Sequence, residues 1–332
     1  MKNHRKAVVR MKREFDVVAL GELLIDFTGG GTSTQGNPLF EANPGGAPCN
    51  VLAMLQKLGR RTGFIGKVGN DGFGKQLEAV VKAAGIDTRG LRWDDRVHTT
   101  LAVVHTLPGG DRDFSFYREP GADMMLTEDE VDFTLVRNCR IFHFGTLSMT
   151  HPQPRKATLT AIQAAKEAGA LISFDPNLRP PLWSSLSDAA EQIRKGLALC
   201  DILKIADNEI EFLTGEKDFD KAAEILRREY PNIRILNVTA GAEGSYSYSF
   251  GHRVFVPGFC LGGTIETTGA GDTFCASVLD YVLTHGAENL TEEQLTEMLR
   301  FANAAAYLVT TKKGAIRSMP EKEQVLEILK NN

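Results

Sequence analysis

Residues 170–206 hold two short apolar runs, Ala170-Leu-Ile-Ser-Phe174 and Ile202-Leu-Lys-Ile-Ala206, on either side of a stretch, 187–199, whose apolar residues recur three and four apart. Continuous or alternating apolar runs read as strands and the wider spacing as an amphipathic helix, so the segment spells strand, helix, strand. The same alternation extends outward in both directions. Further strands are expected at 15–20, 62–65, 101–105, 140–144 and 233–238, and helices at 47–58, 74–84, 153–168, 220–229 and 292–311. Within 47–58, for example, Val51, Leu55 and Leu58 share one helical face. Strands joined by helical crossovers predict an α/β fold with a mainly parallel central sheet, whose ligands bind just outside the carboxyl ends of the strands.

Two stretches depart from this rhythm. Residues 27–43 are Gly-rich without helical spacing, and in 97–118 the runs Thr99 to His105 and Asp113 to Tyr117 flank the turn Leu-Pro-Gly-Gly-Asp, which reads as a hairpin. Neither could bury enough surface to fold alone, so together they are expected to form a small β-sheet lid over one edge of the main domain. The main domain then comprises 14–26, 44–96 and 119–332. The first 13 residues hold six basic side chains and no acid, but Met11 stands just before the first strand, so 1–13 read as a disordered tail rather than a targeting segment.

Composition narrows the function classes. The chain has 332 residues, 42% of them apolar, which is enough for a large core without metal or disulfide staples. Lys plus Arg total 38 against 42 Asp plus Glu, a net charge of −4, which argues against nucleic acid or an anionic membrane as partner. Apolar runs such as 301–309 fall short of the ~20 residues a bilayer requires. Five cysteines, widely spaced and without a C-x-x-C pair, suit a reducing, cytoplasmic setting. The sequence leaves a monomer and a homodimer both open.

Three segments could carry chemistry. In Glu266-Thr-Thr-Gly-Ala-Gly-Asp272-Thr-Phe-Cys-Ala-Ser277 a glycine turn opens a helix. The first amides of a helix lack internal partners and its dipole is positive there, so Gly269, Ala270 and Gly271 are placed to offer N–H groups to a phosphate. Asp272 in that first turn would lie beside the phosphate, where a hydroxyl nucleophile needs a base. An ordinary helix cap with an acidic first turn satisfies the same spacing. In Asn43-Pro-Gly-Gly-Ala-Pro-Cys-Asn50, Gly45 and Gly46 permit close backbone approach and Asn50 offers a donor and an acceptor to adjacent hydroxyls. A Gly-Pro turn with a solvent-facing Asn is the alternative. Asp26, read at the end of the first strand in Gly21-Glu-Leu-Leu-Ile-Asp26, is a third candidate for sugar hydroxyls, or a strand-end cap. By contrast, Gly69-Asn-Asp-Gly-Phe-Gly74-Lys75-Gln76 has Gln where a phosphate loop needs Ser or Thr, and the seven histidines show no metal-ligand spacing.

The order of these segments resembles the ribokinase-like sugar kinases of the PfkB family. The resemblance runs from about residue 14 to 331 and rests on Gly45-Gly-Ala-Pro-Cys-Asn50 through Gly66-Lys-Val-Gly-Asn-Asp71-Gly-Phe-Gly74, and on Thr267-Thr-Gly-Ala-Gly-Asp272-Thr-Phe274 about 200 residues later. Three further phrases resemble the fructokinase branch: Phe116-Tyr-Arg118-Glu-Pro-Gly-Ala-Asp123, Phe174-Asp-Pro-Asn-Leu-Arg179-Pro-Pro-Leu-Trp183 and Thr310-Thr-Lys-Lys-Gly-Ala-Ile316. The resemblance implies a three-layer α/β/α domain and ATP-dependent phosphorylation of D-fructose to fructose 6-phosphate. A 2-keto-3-deoxygluconate kinase, which shares the Asp-Pro-Asn-x-Arg phrase, and a non-catalytic sugar or nucleotide sensor are the alternatives.

It further implies Asp272 as base, with Gly269, Ala270 and Gly271 as an anion hole. Asp26, Gly45, Gly46, Asn50, Arg118 and Arg179 would contact the sugar or the transferred phosphate. Thr239, Gly241 and Gly244, with Asn303, would bind the nucleotide. Mg²⁺ would be held through water by Glu209, and a monovalent cation such as K⁺ by Glu266 and Thr268. Three departures stand out: Glu266 where the family usually has Asp, Thr273 where it has Ala, and a metal-linked N-x-x-E pattern that matches Asn208 to Glu211 literally. Anchoring on Leu213-Thr-Gly215 instead places its Glu at Glu209 and its Asn at Ala206.

Overall fold

The computed structural model describes residues 13–106 and 112–332. The expected disordered tail and the Leu-Pro-Gly-Gly-Asp turn therefore lie outside the described residues, save Arg13. That residue is docked rather than loose: its guanidinium donates to the carbonyl oxygens of Arg137 (3.2 Å), Cys139 (2.5 Å) and Ala168.

In chain order, β1 (Phe15–Leu20) is followed by β2 (Leu24–Thr32), β3 (Pro38–Gly45), α1 (Ala47–Lys57), β4 (Thr62–Gly69), α2 (Gly72–Ala83) and β5 (Asp87–Asp94). Next come β6 (Leu101–Thr106), β7 (Arg112–Tyr117), α3 (Phe133–Arg137), β8 (Cys139–Phe144), α4 (Pro152–Glu167) and β9 (Leu171–Phe174). The second half runs α5 (Leu186–Leu197), β10 (Ile202–Ala206), α6 (Asp207–Thr214), α7 (Phe219–Glu229), β11 (Ile235–Thr239), β12 (Gly244–Ser249) and β13 (His252–Pro257). It closes with α8 (Ala270–His285), α9 (Glu292–Thr310) and α10 (Lys322–Asn331).

Nine strands form one sheet in the order β13-β12-β11-β10-β9-β8-β1-β4-β5. It is parallel except where β12 pairs with β11 and β13. A parallel sheet must be covered on both faces, and β1 shows how its residues divide. Val17 and Ala19 join the apolar cluster under α1, α8 and α9, whereas Phe15, Val18 and Leu20 join the cluster under α4, α5 and α7. The result is the three-layer α/β/α domain. No helix among the described residues is long and apolar enough to cross a membrane.

The small sheet has the order β3-β2-β6-β7. It is wider than the sequence reading, beginning at Leu24 rather than residue 27 and reaching Gly45 rather than residue 43. This corrects the placement of Asp26, which belongs to β2 of the small sheet and not to the first main-sheet strand. The chain leaves the main sheet at Gly21, whose amide still donates to Ile65 O (3.1 Å). There a Cβ would lie 2.6 Å from Pro48 Cγ, so only glycine lets the strand turn away beneath α1. Phe27 anchors the small sheet by edge contacts to Phe73 of α2 (5.6 Å between ring centroids) and to Phe40 (6.5 Å).

Candidate active site

The carboxyl ends of β9, β10 and β11, the N-termini of α1 and α8, and one side of the small sheet enclose a cleft of ≈ 850 Å³. Its base is the start of α8. Gly269 is the N-cap at φ 79°, a left-handed conformation that a side chain would strain. The first internal bond of the helix is Thr273 N to Gly269 O at 2.8 Å, so the amides of Gly271 and Asp272 precede the helical ladder. Gly269, Gly271 and Asp272 line the cleft, but Ala270 does not, and its amide donates to Thr267 O (3.2 Å). The structure thus removes Ala270 from the expected set of open amides.

Asp272 opens on the cleft on one side and is enclosed by protein on the others. Its Oδ2 accepts from Asn50 Nδ2 at 2.7 Å, which joins two segments 222 residues apart. Enclosure and the neighbouring Asp175 charge push its pKa up to about 6, against the opposing pull of Asn50, Lys204 and Arg179. A carboxylate so placed is half-ionised near pH 6 and able to accept a proton at neutral pH.

Asn50 is positioned by the entry into α1. Gly46 has φ 127°, and a Cβ there would meet Glu22 O at 2.5 Å. The Glu22 carboxylate accepts from Ala47 N (2.8 Å), and burial pushes its pKa up to about 7. The Oδ1 of Asn50 is buried without a hydrogen-bond partner among the described residues, leaving an acceptor available beside Asp272. Asp26 and Gly46 line the cleft. Gly45 does not, but a Cβ on it would collide with Asp26 Oδ2, so this glycine makes room for the Asp26 carboxylate.

On the far wall, Lys204 Nζ lies 3.1 Å from Asp175 Oδ2 and 3.2 Å from Oδ1, deeply buried. Arg179 lines the cleft just after β9, as does Asn177, a non-glycine residue at φ 46°. Glu209 lines it too, with Oε1 accepting from Leu178 N (2.6 Å) and Oε2 from Ala206 N (2.8 Å). Burial pushes its pKa up. Glu211, the acid of the literal N-x-x-E match, is instead paired with Lys217 at 3.7 Å outside the cleft. Thr239 and Gly241, just after β11, line the cleft as well.

Arg118 stands apart from the cleft, contrary to the expected ligand contact. Four of its five guanidinium N–H groups donate to Asp123 Oδ2 (2.9 and 2.7 Å), Thr150 Oγ1 (2.9 Å) and Leu147 O (2.9 Å). It fastens the segment after β7 to the loop after β8. Gly244 and Asn303 likewise fall outside the lining. Gly244 sits at φ 128°, and a Cβ would strike the carbonyl of Val256, so the glycine serves the β12–β13 pairing. Asn303 accepts from Ser245 Oγ (2.8 Å) and donates to Val256 O (3.0 Å) and Pro257 O (3.2 Å), tying α9 to the sheet. Thr268 lines the cleft, and Glu266 Oε1 accepts from Gly314 N at 2.9 Å. Among the described residues no group of three or more His, Cys, Asp or Glu side chains converges as a metal site.

Sequence reasoning missed Glu22, Asp175 and Lys204. Each carried a signal, since an ionisable residue inside an apolar strand (Lys204), just past its end (Asp175) or in an apolar connection between strands (Glu22) is buried at a cost and retained for a reason.

A carboxylate one residue beyond open helix-terminal amides, at the carboxyl end of a parallel sheet, suits transfer of a phosphoryl group to an alcohol. The chain belongs to the PfkB family: residues 14–322 match the pfkB family carbohydrate kinases. It is 41% identical over 316 residues to the probable fructokinase-2 of Arabidopsis thaliana, covering 95% of each chain. Among solved structures, a fructokinase with bound ATP from Xylella fastidiosa superposes with a TM-score of 0.86 at 29% identity, over 95% of this chain and 98% of that one. A fructokinase double mutant from Vibrio cholerae O395, bound to fructose, ADP and potassium ion, superposes at 0.84 and 27% identity, over 96% and 99%.

Proposed function

We propose that the protein is a fructokinase, transferring the γ-phosphoryl group of ATP to the 6-hydroxyl of D-fructose. The observation that carries this is the 2.7 Å bond from Asn50 to Asp272, which brings the hydroxyl-binding and phosphate-binding segments together in one cleft. Asp26, Gly46 and Asn50 hold the sugar, and Asp272 takes the proton from its hydroxyl as the oxygen attacks phosphorus. The amides of Gly271 and Asp272 and the guanidinium of Arg179 face the charge on the moving phosphoryl group. Thr239 and Gly241 bound the nucleotide end.

Mg²⁺ arrives with ATP as part of the substrate complex, its charge offsetting that of the phosphates. Glu209 has both oxygens on backbone amides, which holds the loop after β9, and its remaining lone pairs would accept from waters of that ion. Glu266 and Thr268 supply the hard oxygen donors a potassium ion takes. The small sheet, whose Leu24, Asp26, Val104 and Phe116 reach the cleft, acts as the lid that keeps water from the phosphoryl group.

The test is a panel of hexoses, pentoses and 2-keto-3-deoxygluconate with Mg-ATP and ADP detection. Fructose should give the highest kcat/KM. A preference for 2-keto-3-deoxygluconate would reassign the substrate, and no ADP with any sugar would overturn the reading as a kinase.

A further inference from the structure

Lys204 has no part in the catalysis described so far, yet it is the most enclosed cation on the cleft wall. It sits in β10, in the interior of the parallel sheet, where its neighbours Leu203 and Ile205 are fully buried in the apolar cluster on the opposite face. An ammonium placed there costs desolvation and persists only if its charge is used. Part of the use is Asp175, both of whose oxygens lie within 3.2 Å of Nζ. An ammonium has three donors, and no third protein acceptor stands in hydrogen-bond reach among the described residues. Nζ also lies close to Gly271, since a Cβ built on that glycine would stand 3.1 Å from it. The ammonium therefore stands beside the backbone whose amide opens at the start of α8, and a side chain at residue 271 would crowd it.

We propose that Lys204 is a further catalytic residue, donating its free N–H to an oxygen of the phosphoryl group while Asp175 aims the ammonium at it. The step balances without any proton from the lysine. The sugar oxygen forms its bond to the γ-phosphorus and gives its proton to Asp272, the bond to the β–γ bridging oxygen breaks, and ADP leaves with that electron pair. Lys204 remains protonated throughout, and its N–H meets a phosphoryl oxygen most closely as the group passes from ATP to the sugar, keeping part of that contact in the product. The product, a sugar phosphate, leaves its phosphate against the same ammonium.

This inference rests on the phosphoryl-transfer reading, and its test separates the two. Binding of fructose and of fructose 6-phosphate is measured by calorimetry for the wild type, Lys204→Met and the double variant Lys204→Met/Asp175→Asn, alongside steady-state kinetics. Lys204→Met should weaken fructose 6-phosphate at least tenfold while fructose stays within threefold. Its kcat should fall roughly 10²-fold, the usual cost of losing one transition-state donor, with KM for fructose little changed. Lys204→Arg, which keeps a cation, should recover part of the loss. The double variant removes the buried carboxylate that the single variant leaves unpaired, so it guards against a folding defect and should remain as impaired as Lys204→Met. Recovery of phosphate binding and turnover in the double variant would mean that Lys204 only balances Asp175, and equal weakening of both ligands would place it in the sugar pocket. Either result overturns the proposal. A wild type that prefers another sugar changes only the ligand pair used, and one that phosphorylates no sugar sinks the kinase reading and this inference together.

Discussion

Replacing Asp272 by Asn separates the chemistry of this carboxylate from its structural cost. The Asn side chain keeps the size and an acceptor for Asn50 Nδ2 but cannot take a proton. Removing a general base slows turnover by ~10²–10⁴, which is about 3 to 5 kcal/mol of barrier. Stability should move the other way. The group's pKa rises from 3.8 to about 6 on folding, so the folded state disfavours the ionised form. That cost is absent below the unfolded value, grows as pH rises between the two, and is complete above pH 6. A shift of this size corresponds to about 3 kcal/mol at pH 8, an upper bound because the carboxylate opens on water in the cleft, and to about half of that at pH 5. Urea unfolding at pH 8 and pH 5, paired with ADP release under saturating fructose and Mg-ATP, reads both quantities. The variant should be more stable than the wild type at pH 8, less so at pH 5, and nearly inactive at both. Turnover within fivefold of the wild type would refute the base assignment, and a loss of stability at pH 8 would refute the account of why its pKa is raised.

The wild-type kcat should rise with pH along an acidic limb near 6, and Asn50→Ala should move that limb upward, because the lost hydrogen bond favours the ionised carboxylate; an unmoved limb would detach Asn50 from the base. Arg179→Ala should lower kcat/KM for fructose at least tenfold, about 1.4 kcal/mol, without changing the unfolding midpoint, and wild-type kinetics would make it a surface residue. Gly46→Ala should cost roughly 1–3 kcal/mol in stability from its φ of 127° and the clash with Glu22 O, and should lower activity through the displaced α1; thermal unfolding and kinetics check both. Replacing potassium by choline should lower turnover several-fold, and equal rates would remove Glu266 and Thr268 from the cation's ligands.

The parts of the fold that were plain in the sequence are those where apolar periodicity and burial coincide, such as β1, β10 and the helices beneath them. β5 was hidden because Arg89, Gly90 and Arg92 interrupt the apolar run of an edge strand. β12 was hidden for the opposite reason. Its alternation Gly-Ser-Tyr-Ser-Tyr-Ser is clear, but Ser245, Ser247 and Ser249 are the fully buried face, where small hydroxyls let α9 approach closely. At the site, glycine turns before α1 and α8 were legible because left-handed or crowded backbone demands glycine. What could not be read was which polar residues spend their hydrogen bonds on the protein. Arg118 is such a case, although its partner Asp123 stands five residues away in the same phrase. Asn303 is another, since its acceptors and donors come from strands that no local pattern brings beside it.

The central claim is that this cleft moves a phosphoryl group from ATP to the 6-hydroxyl of fructose, and identifying the product tests it most directly. The protein is incubated with Mg-ATP and fructose carrying ¹³C at carbon 6, and the product is examined by ³¹P and ¹³C NMR beside an Asp272→Asn control. The account predicts one sugar phosphate with phosphorus coupled to the labelled carbon, formed one-for-one with ADP and absent from the control. A phosphate on another carbon, ADP with inorganic phosphate in place of a sugar ester, or equal product from the control would contradict it.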